Sequence, residues 1–150
     1  HVLVTGGEPL LQPAVHELMK KLCDEEYTVL LETSGSIDVT TVDPRVHRIV
    51  DVKCPGSGES ARNHMPHLAR LTMHDEVKFV VADRADYEFA RGVIASERLA
   101  QHVGAILLSP VDGSPALARD VAEWMLADRL PARLQLQLHK IVWDRKERRR

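Results

Sequence analysis

The chain has 150 residues, a formal net charge of −2, and 44% hydrophobic and 28% charged residues. That length suits one domain, and the balance of apolar and charged residues is typical of a folded protein. The small net charge argues against a nucleic-acid partner, and no apolar run approaches the ~20 residues that a membrane span requires. The sequence therefore indicates a globular domain that acts on neither nucleic acid nor membrane.

Short β-branched runs alternate along the chain with longer stretches of helical periodicity. Strands are predicted, in chain order, at residues 2–4, 28–31, 48–52, 76–81, 105–108 and 133–138. Helical patterns separate several of them, at residues 13–22, 87–94 and 114–130, the last with Ser114 as its N-cap and Pro115 at its first position. This alternation predicts an α/β fold in which a parallel sheet and outer helices are joined by right-handed crossovers.

Polar and glycine-rich stretches follow the predicted strands. They are Thr5-Gly6-Gly7-Glu8, Glu32-Thr33-Ser34-Gly35, Asp51-Val52-Lys53 and Ser109-Pro110. In parallel α/β folds the carboxyl ends of the strands meet at one edge of the sheet, where ligands bind. The pattern therefore predicts a small-molecule site at that edge without identifying the molecule.

The two ends of the chain carry their own signals. His1 is not a start methionine, and Val2-Leu3-Val4 already has the pattern of a buried strand. We therefore expect at least one earlier strand outside this chain. Residues 1–140 are predicted to form the domain, and residues 141–150, which are rich in arginine, a solvated basic tail.

The chain has two cysteines, Cys23 and Cys54, and they show no metal-binding spacing. Cys23 falls within a helical apolar pattern, which predicts a buried structural thiol. Two unpaired cysteines fit a reducing, cytoplasmic setting better than a secreted one.

Four stretches resemble motifs of one enzyme family. Thr5–Gln12 (TGGEPLLQ) is similar to the Gly-Gly-Glu motif of radical S-adenosylmethionine (SAM) enzymes. Leu31–Gly35 (LETSG), Asp51–Glu59 (DVKCPGSGE) and Leu136–Lys140 (LQLHK) resemble three motifs of the 7-carboxy-7-deazaguanine synthases, in the same order. The resemblance covers the chain from Thr5 to Lys140. It implies a partial (β/α) barrel of the radical SAM type whose first β/α unit is missing from this chain.

The resemblance also implies an activity. In this family a [4Fe–4S] cluster and SAM generate a radical that acts on 6-carboxy-5,6,7,8-tetrahydropterin, which loses ammonia and becomes 7-carboxy-7-deazaguanine. The resemblance further implies that the enzyme uses Mg²⁺, forms a homodimer and takes electrons from a reductant such as flavodoxin or ferredoxin. The three cluster thiolates and the Mg²⁺ ligands are expected upstream of His1, so the chain by itself is expected to be inactive.

Residues matching the family motifs are candidates for SAM binding. Gly6 and Gly7 leave the strand-end backbone open to a ligand, and Glu8 is expected near the SAM ammonium group. Lys53 and Ser57 are expected near its carboxylate or ribose, and Ser109 is a further candidate hydrogen-bond partner. Each has a structural alternative: a strand-exit turn for the glycines, a helix-entry acid for Glu8, a plain loop for Lys53 and Ser57, and a strand end for Ser109.

Three residues are candidates for substrate binding: Thr5, Glu32 and His139. Glu32 at a strand end can accept two N–H donors from the amino-pyrimidinone edge of a pterin, as carboxylates do from guanidinium. A solvated acid is the alternative for Glu32. His139 is expected on the last strand, where a structural histidine is the alternative.

Other interpretations remain open at this point. His64, His67 and His74 suggest a metal site, but they lie in a presumed helix-and-loop stretch without acidic residues at the spacing that supports metal-bound histidines, so no metal ligand is predicted within the chain. A radical SAM enzyme of another kind, such as a glycyl-radical activase-like protein, shares the Gly-Gly-Glu-Pro element. A cluster-free, non-enzymatic binding domain is the third possibility.

Overall fold

A computed structural model of the chain describes residues 1–111 and 114–142, apart from the side chains of His139 and Ile141. The strands are β1 (Val2–Val4), β2 (Val29–Thr33), β3 (His47–Val52), β4 (Glu76–Val81), β5 (Ala105–Pro110) and β6 (Arg133–Leu134). The α-helices are α1 (Ala14–Asp24), α2 (Arg84–Ser96), α3 (Pro115–Asp128) and α4 (Leu138–Val142).

The six strands form one parallel sheet in the order β1-β2-β3-β4-β5-β6, so each strand pairs with its neighbours in sequence. The predicted α/β fold with a parallel sheet is therefore confirmed. Within the part of the chain that the structure describes, β1 pairs only with β2 and β6 only with β5. The sheet is open rather than a closed barrel.

Helices cover the sheet unevenly. The crossovers after β1, β4 and β5 contain α1, α2 and α3, and α2 and α3 pack on β4 and β5. The crossovers after β2 and β3 contain only short 3-10 helices, at Val39–Thr41, Pro55–Ser57, Ser60–Arg62 and Met65–Arg70. Prolines and glycines in these two crossovers interrupt α-helical hydrogen bonding, so the expectation of outer helices holds for three crossovers only.

Buried aliphatic and aromatic side chains from the sheet and α2 form one core. Val29 and Leu31 of β2 and Phe79 of β4 are fully buried. Tyr87 of α2 is fully buried as well, and its hydroxyl donates to Asp128 Oδ2 at 2.8 Å, which ties α2 to α3. Burial of such apolar surface is the main force that holds the layers together.

Side-chain caps begin two of the helices. The predicted cap at Ser114 is confirmed, because its Oγ accepts the Leu117 backbone N–H at 3.4 Å and Pro115 occupies the first position of α3. Asp83 caps α2 in the same way, accepting from the Asp86 N–H at 2.9 Å. Both caps satisfy amide groups that have no partner within the helix.

The prediction for the last strand is wrong in its extent. The pattern at 133–138 predicts a half-buried strand, but β6 contains only Arg133 and Leu134, and α4 begins at Leu138. Leu134, Leu136 and Leu138 are all exposed. Alternation of leucine and glutamine fits an edge strand only where another layer covers the leucines, and none of the described elements does so. His139 consequently lies in a short helix rather than on a strand, and its side chain is outside the described part.

A buried ion pair holds the amino ends of β3 and β4 together. Arg48 Nε donates to Asp75 Oδ1 at 2.7 Å, and the Thr72 N–H donates to Asp75 Oδ2 at 2.8 Å. Asp75 is fully buried. Burial opposes the charged carboxylate, but the Arg48 and Thr72 donors outweigh it and lower the pKa of Asp75. A buried charge of this kind is tolerated only because it is paired and hydrogen-bonded.

None of the helices in the described residues is long and apolar enough to cross a lipid bilayer.

Cys23 is half-buried at the margin of the core, less enclosed than its pattern predicts, and Cys54 is buried.

Candidate functional site

A cleft lies at the carboxyl ends of β1 to β4. One part, of about 240 Å³, is lined by Thr5, Gly6, Gly7, Glu32, Thr33, Ser34, Asp51, Lys53 and Lys78. A second part, of about 250 Å³, is lined by Gly7, Glu8, Leu11, Ser34, Ser36, Lys53, Glu59 and Arg62. The two parts share Gly7, Ser34 and Lys53, so they form one continuous cleft. The structure thus brings together three of the four predicted polar stretches.

The Gly6-Gly7 turn leaves its backbone uncovered. Gly6 has a φ of +145°, a backbone conformation that residues other than glycine rarely adopt. A Cβ atom added at either glycine would find no atom of the described residues within 4 Å. The peptide groups at the end of β1 are therefore accessible to a ligand, as the sequence predicts.

Glu8 joins the two turns that follow β1 and β2. Its carboxylate accepts hydrogen bonds from the Leu10 N–H at 3.1 Å, from Thr33 Oγ1 at 2.8 Å and from the Ser34 N–H at 2.8 Å. Partial burial alone would raise the pKa of Glu8, but the Ser34, Leu10 and Thr33 donors lower it overall. Glu8 therefore remains ionised. Its carboxylate oxygens already accept hydrogen bonds from the protein, so a bound ligand would have to share them.

Glu32 projects into the cleft and is paired there with a lysine from β4. The Lys78 ammonium donates to Glu32 Oε1, and Thr5 Oγ1 donates to Oε2 at 3.3 Å. Burial favours the neutral acid, but the hydrogen bond and charge of Lys78 outweigh it, so the pKa of Glu32 is lowered. Glu32 is thus an ionised, oriented acceptor, which agrees with the predicted position of its side chain.

Asp51 and Lys53 form the next charged pair, at the end of β3. Lys53 Nζ donates to Asp51 Oδ2 at 2.7 Å, while Asp51 Oδ1 is buried and has no hydrogen-bond partner among the described residues. The Asn63 side chain holds the Lys53 backbone on both sides, accepting from its N–H and donating to its C=O, each at 2.9 Å. Lys53 is therefore fixed at the cleft by its backbone, and its ammonium by Asp51.

Hydrogen bonds to Asp86 of α2 hold the glycine-rich loop that follows Lys53. Asp86 accepts the Gly56 N–H at 2.7 Å and the Ala82 N–H at 3.0 Å. A Cβ at Gly56 would lie 2.6 Å from Asp86 Oδ2. Glycine is required at this position because the backbone and the carboxylate approach so closely.

Two of the predicted SAM-binding residues line neither part of the cleft described above, although Ser57 lines a neighbouring pocket of about 170 Å³ together with Lys53. Ser57 Oγ donates to the Cys54 carbonyl at 2.6 Å and accepts the Glu59 N–H at 3.2 Å, which are bonds internal to the loop. Ser109 is buried in β5, and Gln137 Nε2 lies 3.5 Å from its Oγ. The structure gives both hydroxyls protein partners, and any role in ligand binding stays a prediction.

Sequence reasoning missed several residues of the cleft, and Lys78 matters most among them. A lysine inside the apolar run of β4 was the available signal, because a charged side chain in a buried strand needs a partner. Its partner, Glu32, is 46 residues away in sequence, so only the sheet register reveals the pair. Thr33 and Ser34 were recognised as turn residues, but their bonds to Glu8 depend on how the two turns meet.

A larger concavity of about 380 Å³ lies at the other edge of the sheet, around Met73, Gly104 and Arg133. Most of its described lining residues have apolar side chains, with Arg133 as the one charged residue among them, although much of the surface that they expose is polar. It lacks the paired acids and bases that chemistry requires, and we assign the site to the smaller cleft.

Cys54 is unsuited to bind a metal as it stands. Burial, with the nearby Asp86 and Asp51 charges, raises the pKa of its thiol to about 12. Thiolates are the species that ligate iron, so the raised pKa disfavours Cys54 as a ligand, and its burial in the hydrophobic core indicates a structural role.

No protein-family model matches the chain. The chain is 44% identical over 154 residues to the 7-carboxy-7-deazaguanine synthase of Koribacter versatilis, with 95% of the chain and 68% of that protein aligned. It is 46% identical over 147 residues to the enzyme of the same name from Chlorobaculum tepidum, with 95% and 66% aligned. The chain thus spans about two thirds of the length of these curated relatives.

A solved structure agrees with the fold. The crystal structure of QueE from Escherichia coli matches with a TM-score of 0.63 and 24% identity, over 91% of this chain and 56% of that one. A parallel sheet with a Gly-Gly-Glu turn and paired charges at its carboxyl edge defines the class, which is that of the radical SAM enzymes. Within that class the chain belongs to the 7-carboxy-7-deazaguanine synthase family, a family of lyases. The resemblance seen in the four motifs is confirmed.

Proposed function

We propose that this chain binds SAM and 6-carboxy-5,6,7,8-tetrahydropterin in the reaction that forms 7-carboxy-7-deazaguanine and releases ammonia. When bound, SAM and its [4Fe–4S] cluster supply the 5′-deoxyadenosyl radical. The residues of this chain bind and orient the two small molecules and exclude water from them. The cleft that joins the Gly6-Gly7 turn to the Glu32–Lys78 pair is the observation that carries the proposal.

The Gly6-Gly7 side of the cleft fits the amino-acid portion of SAM. An ammonium group needs acceptors, and the uncovered carbonyls of this turn supply them next to the ionised Glu8. A carboxylate needs donors, and Lys53 lines both parts of the cleft. The absence of nearby atoms around both glycines gives the ligand room to approach the backbone directly.

The Glu32 side of the cleft fits the pterin. Glu32 is held ionised by Lys78 and faces the same space as Thr5, so it can accept two N–H donors from the amino-pyrimidinone edge. Lys78 is the register partner of Asp51 across the sheet, which places a second acid beside the same ligand. In this proposal Lys78 positions Glu32 and keeps it charged.

The cluster ligands are proposed to lie outside this chain. The cluster needs three thiolates, and the chain has two cysteines, of which Cys54 is buried with a raised pKa. The Mg²⁺ ligands, the homodimer partner and a reductant such as flavodoxin or ferredoxin are proposed from family membership. His139 stays a proposed substrate contact, and residues 1–140 a proposed domain with a basic tail.

Reconstitution tests the cluster proposal. The chain is treated with iron and sulfide under anaerobic conditions and its visible absorption is measured. We expect no stoichiometric [4Fe–4S] cluster, because two cysteines cannot supply three thiolates. A full cluster spectrum would contradict the proposed location of the ligands.

Calorimetric titration of both ligands tests the cleft itself. We expect Glu32→Gln to weaken pterin binding by about 2–4 kcal/mol, on the order of 30- to 1,000-fold, because the new amide NH₂ faces a donor. SAM binding should stay unchanged in this variant. Gly7→Val should instead block SAM, since a branched side chain would fill the path by which the ligand approaches.

Glu123→Gln, which changes an exposed acid on α3, is the matched control and should affect neither ligand. The proposal fails if wild-type chain binds neither ligand, or if Glu32→Gln weakens SAM as much as the pterin. A radical SAM enzyme with another substrate would bind SAM at the Gly6-Gly7 turn and ignore the pterin. The two measurements therefore separate the family activity from its alternatives.

A further inference from the structure

A second cluster of polar side chains lies outside the cleft, between the crossovers that follow β2 and β3. It consists of Asp38, His64 and His67, each of which offers one donor atom, and these three atoms lie within 4.8 Å of one another. The sequence argued against a metal role for the histidines, because no acidic residue stands at a supporting spacing from them. The fold supplies that acid from the preceding crossover.

Local structure explains why the two histidines face the same way. Met65–Arg70 is a 3-10 helix with His64 as its N-cap. Such helices have 3.0 residues per turn, so side chains three positions apart lie one above the other. The two imidazole rings accordingly have their centroids 5.3 Å apart. Asp38 reaches the pair from its own position at the start of the 3-10 helix Val39–Thr41.

His67 is the unusual member of the cluster. It is 2% exposed, and its ring approaches the Ile37 backbone, but by hydrogen-bond geometry neither ring nitrogen has a partner in the described part of the chain. Two other histidines do have backbone partners: His102 Nε2 lies 3.2 Å from the Leu68 carbonyl, and His47 Nδ1 lies 3.0 Å from the His74 carbonyl. Buried polar atoms in folded proteins are almost always satisfied, and even a bond to Ile37 would leave one ring nitrogen of His67 without a partner.

The chemistry of the three side chains suits metal binding. Each imidazole offers a ring nitrogen that can ligate a metal ion. The Asp38 carboxylate accepts the Thr40 N–H at 2.9 Å through Oδ1, and a carboxylate has further lone pairs for a metal ion.

We propose that Asp38, His64 and His67 bind a Zn²⁺ ion, with a fourth position open to water. Two imidazoles and one carboxylate are a donor set that zinc prefers. Donor atoms bound to a tetrahedral zinc ion at about 2.1 Å lie about 3.4 Å apart, so the three donor atoms have to move closer together when the ion binds. The side chain of His64 is exposed and can take part in that movement.

The site has a structural consequence for the cleft. The His64 N–H donates to the Gly35 carbonyl at 2.8 Å, and Gly35 ends the turn that carries Glu32 and Ser34. A metal held by Asp38, His64 and His67 would therefore fix the Met65–Arg70 segment against that turn. The ion supports the wall of the cleft and contacts neither SAM nor the pterin, so the inference is independent of the proposed function.

Titration of metal-free chain with Zn²⁺ tests the proposal. We expect one ion per chain and a rise in Tm of roughly 5–10 °C when free Zn²⁺ exceeds its Kd about a hundredfold. His64→Gln and Asp38→Asn should each weaken Zn²⁺ binding at least about tenfold, since each removes a ligand. Asparagine retains the helix-capping ability of Asp38, so folding should be preserved.

His74→Gln is the matched control, because it removes an exposed histidine outside the cluster and should leave Zn²⁺ affinity unchanged. Co²⁺ provides a second readout: its visible bands should disappear in His64→Gln and should lack intense thiolate charge-transfer absorption. The proposal is overturned if wild-type chain binds no Zn²⁺, if His64→Gln and Asp38→Asn bind it normally, or if Co²⁺ reports a cysteine ligand. His67 is too buried for a decisive substitution, and the exposed His64 keeps the test independent of folding.

Discussion

The two ends of β3 and β4 use charge in opposite ways. At the amino end, Arg48 and Asp75 are buried together, and both oxygens of Asp75 accept several hydrogen bonds. At the carboxyl end, the Asp51–Lys53 pair lines an open cleft, and Asp51 Oδ1 has no partner among the described residues. The same strands therefore stabilise the fold with a buried pair at one end and line the cleft with charged side chains at the other.

This contrast makes a testable division. Substitutions at the amino end should reduce the free energy of unfolding and leave the intrinsic ligand affinities of the folded chain intact. Substitutions at the carboxyl end should reduce ligand affinity and leave the free energy of unfolding nearly unchanged. The predictions below run from the largest expected effect to the smallest.

Arg48→Met should have the largest effect on stability. It leaves Asp75 buried without its counter-ion, and loss of one partner from a buried pair costs roughly 3–5 kcal/mol. Urea unfolding followed by circular dichroism measures the change. Arg45→Met, which alters an exposed arginine with surface ion pairs, is the control and should cost less than about 1 kcal/mol. Equal effects of the two variants would remove the distinction between the buried pair and surface pairs.

Glu8→Gln should have an intermediate effect, on both the free energy of unfolding and the affinity for SAM. The variant loses the charge that strengthens the bonds from Thr33 and Ser34, and we expect about 1–2 kcal/mol of destabilisation. SAM affinity should fall as well, because the two turns are no longer held together. Thermal unfolding and SAM titration measure the two effects. Unchanged stability would show that the turns are held without Glu8.

Lowering the pH should remove the contribution that the buried Arg48–Asp75 pair makes to stability. The folded-state pKa of Asp75 is lowered, so its stabilising contribution is fully present above the unfolded pKa of about 3.9 and is lost as the pH falls through the folded value. The stability difference between wild type and Asp75→Asn should therefore shrink as the pH falls below about 3.9. Unfolding curves at several pH values measure it, and a difference that grows in acid would reverse the assigned sign.

Lys78→Met should have the smallest effect on stability, within about 1 kcal/mol, because its pair with Glu32 is partly solvated at the cleft. The pKa of Glu32 should rise, since burial remains and the compensating ammonium is gone. NMR titration of the Glu32 side-chain carboxyl carbon measures this shift. A pKa that stays low would mean that Lys53 and Thr5 are sufficient to hold the charge.

Sequence patterns predicted the features that local chemistry determines. The strands at 76–81 and 105–108, the Ser114 cap and the Gly6-Gly7 turn depend on residues close together in the chain, and the structure contains all of them. The sheet edge that gathers the polar turns follows from parallel topology.

The features that were missed depend on distant partners. The Glu32–Lys78 pair and the Asp38–His64–His67 cluster join different crossovers or strands, so their members carry no shared local pattern. The strand predicted at 133–138 failed for a related reason. Alternating leucines predict a strand only when a second layer covers them, and that condition is tertiary.

The close approach of Gly56 to Asp86 has a consequence for how this family varies. One carboxylate on α2 receives both the Gly56 amide of the cleft loop and the Ala82 amide that precedes its own helix. Because a methyl group at position 56 would collide with that carboxylate, a residue larger than glycine fits there only if the loop moves or if position 86 carries a shorter side chain. Positions 56 and 86 should therefore covary among homologues, with a larger residue at the first accompanied by a shorter side chain at the second.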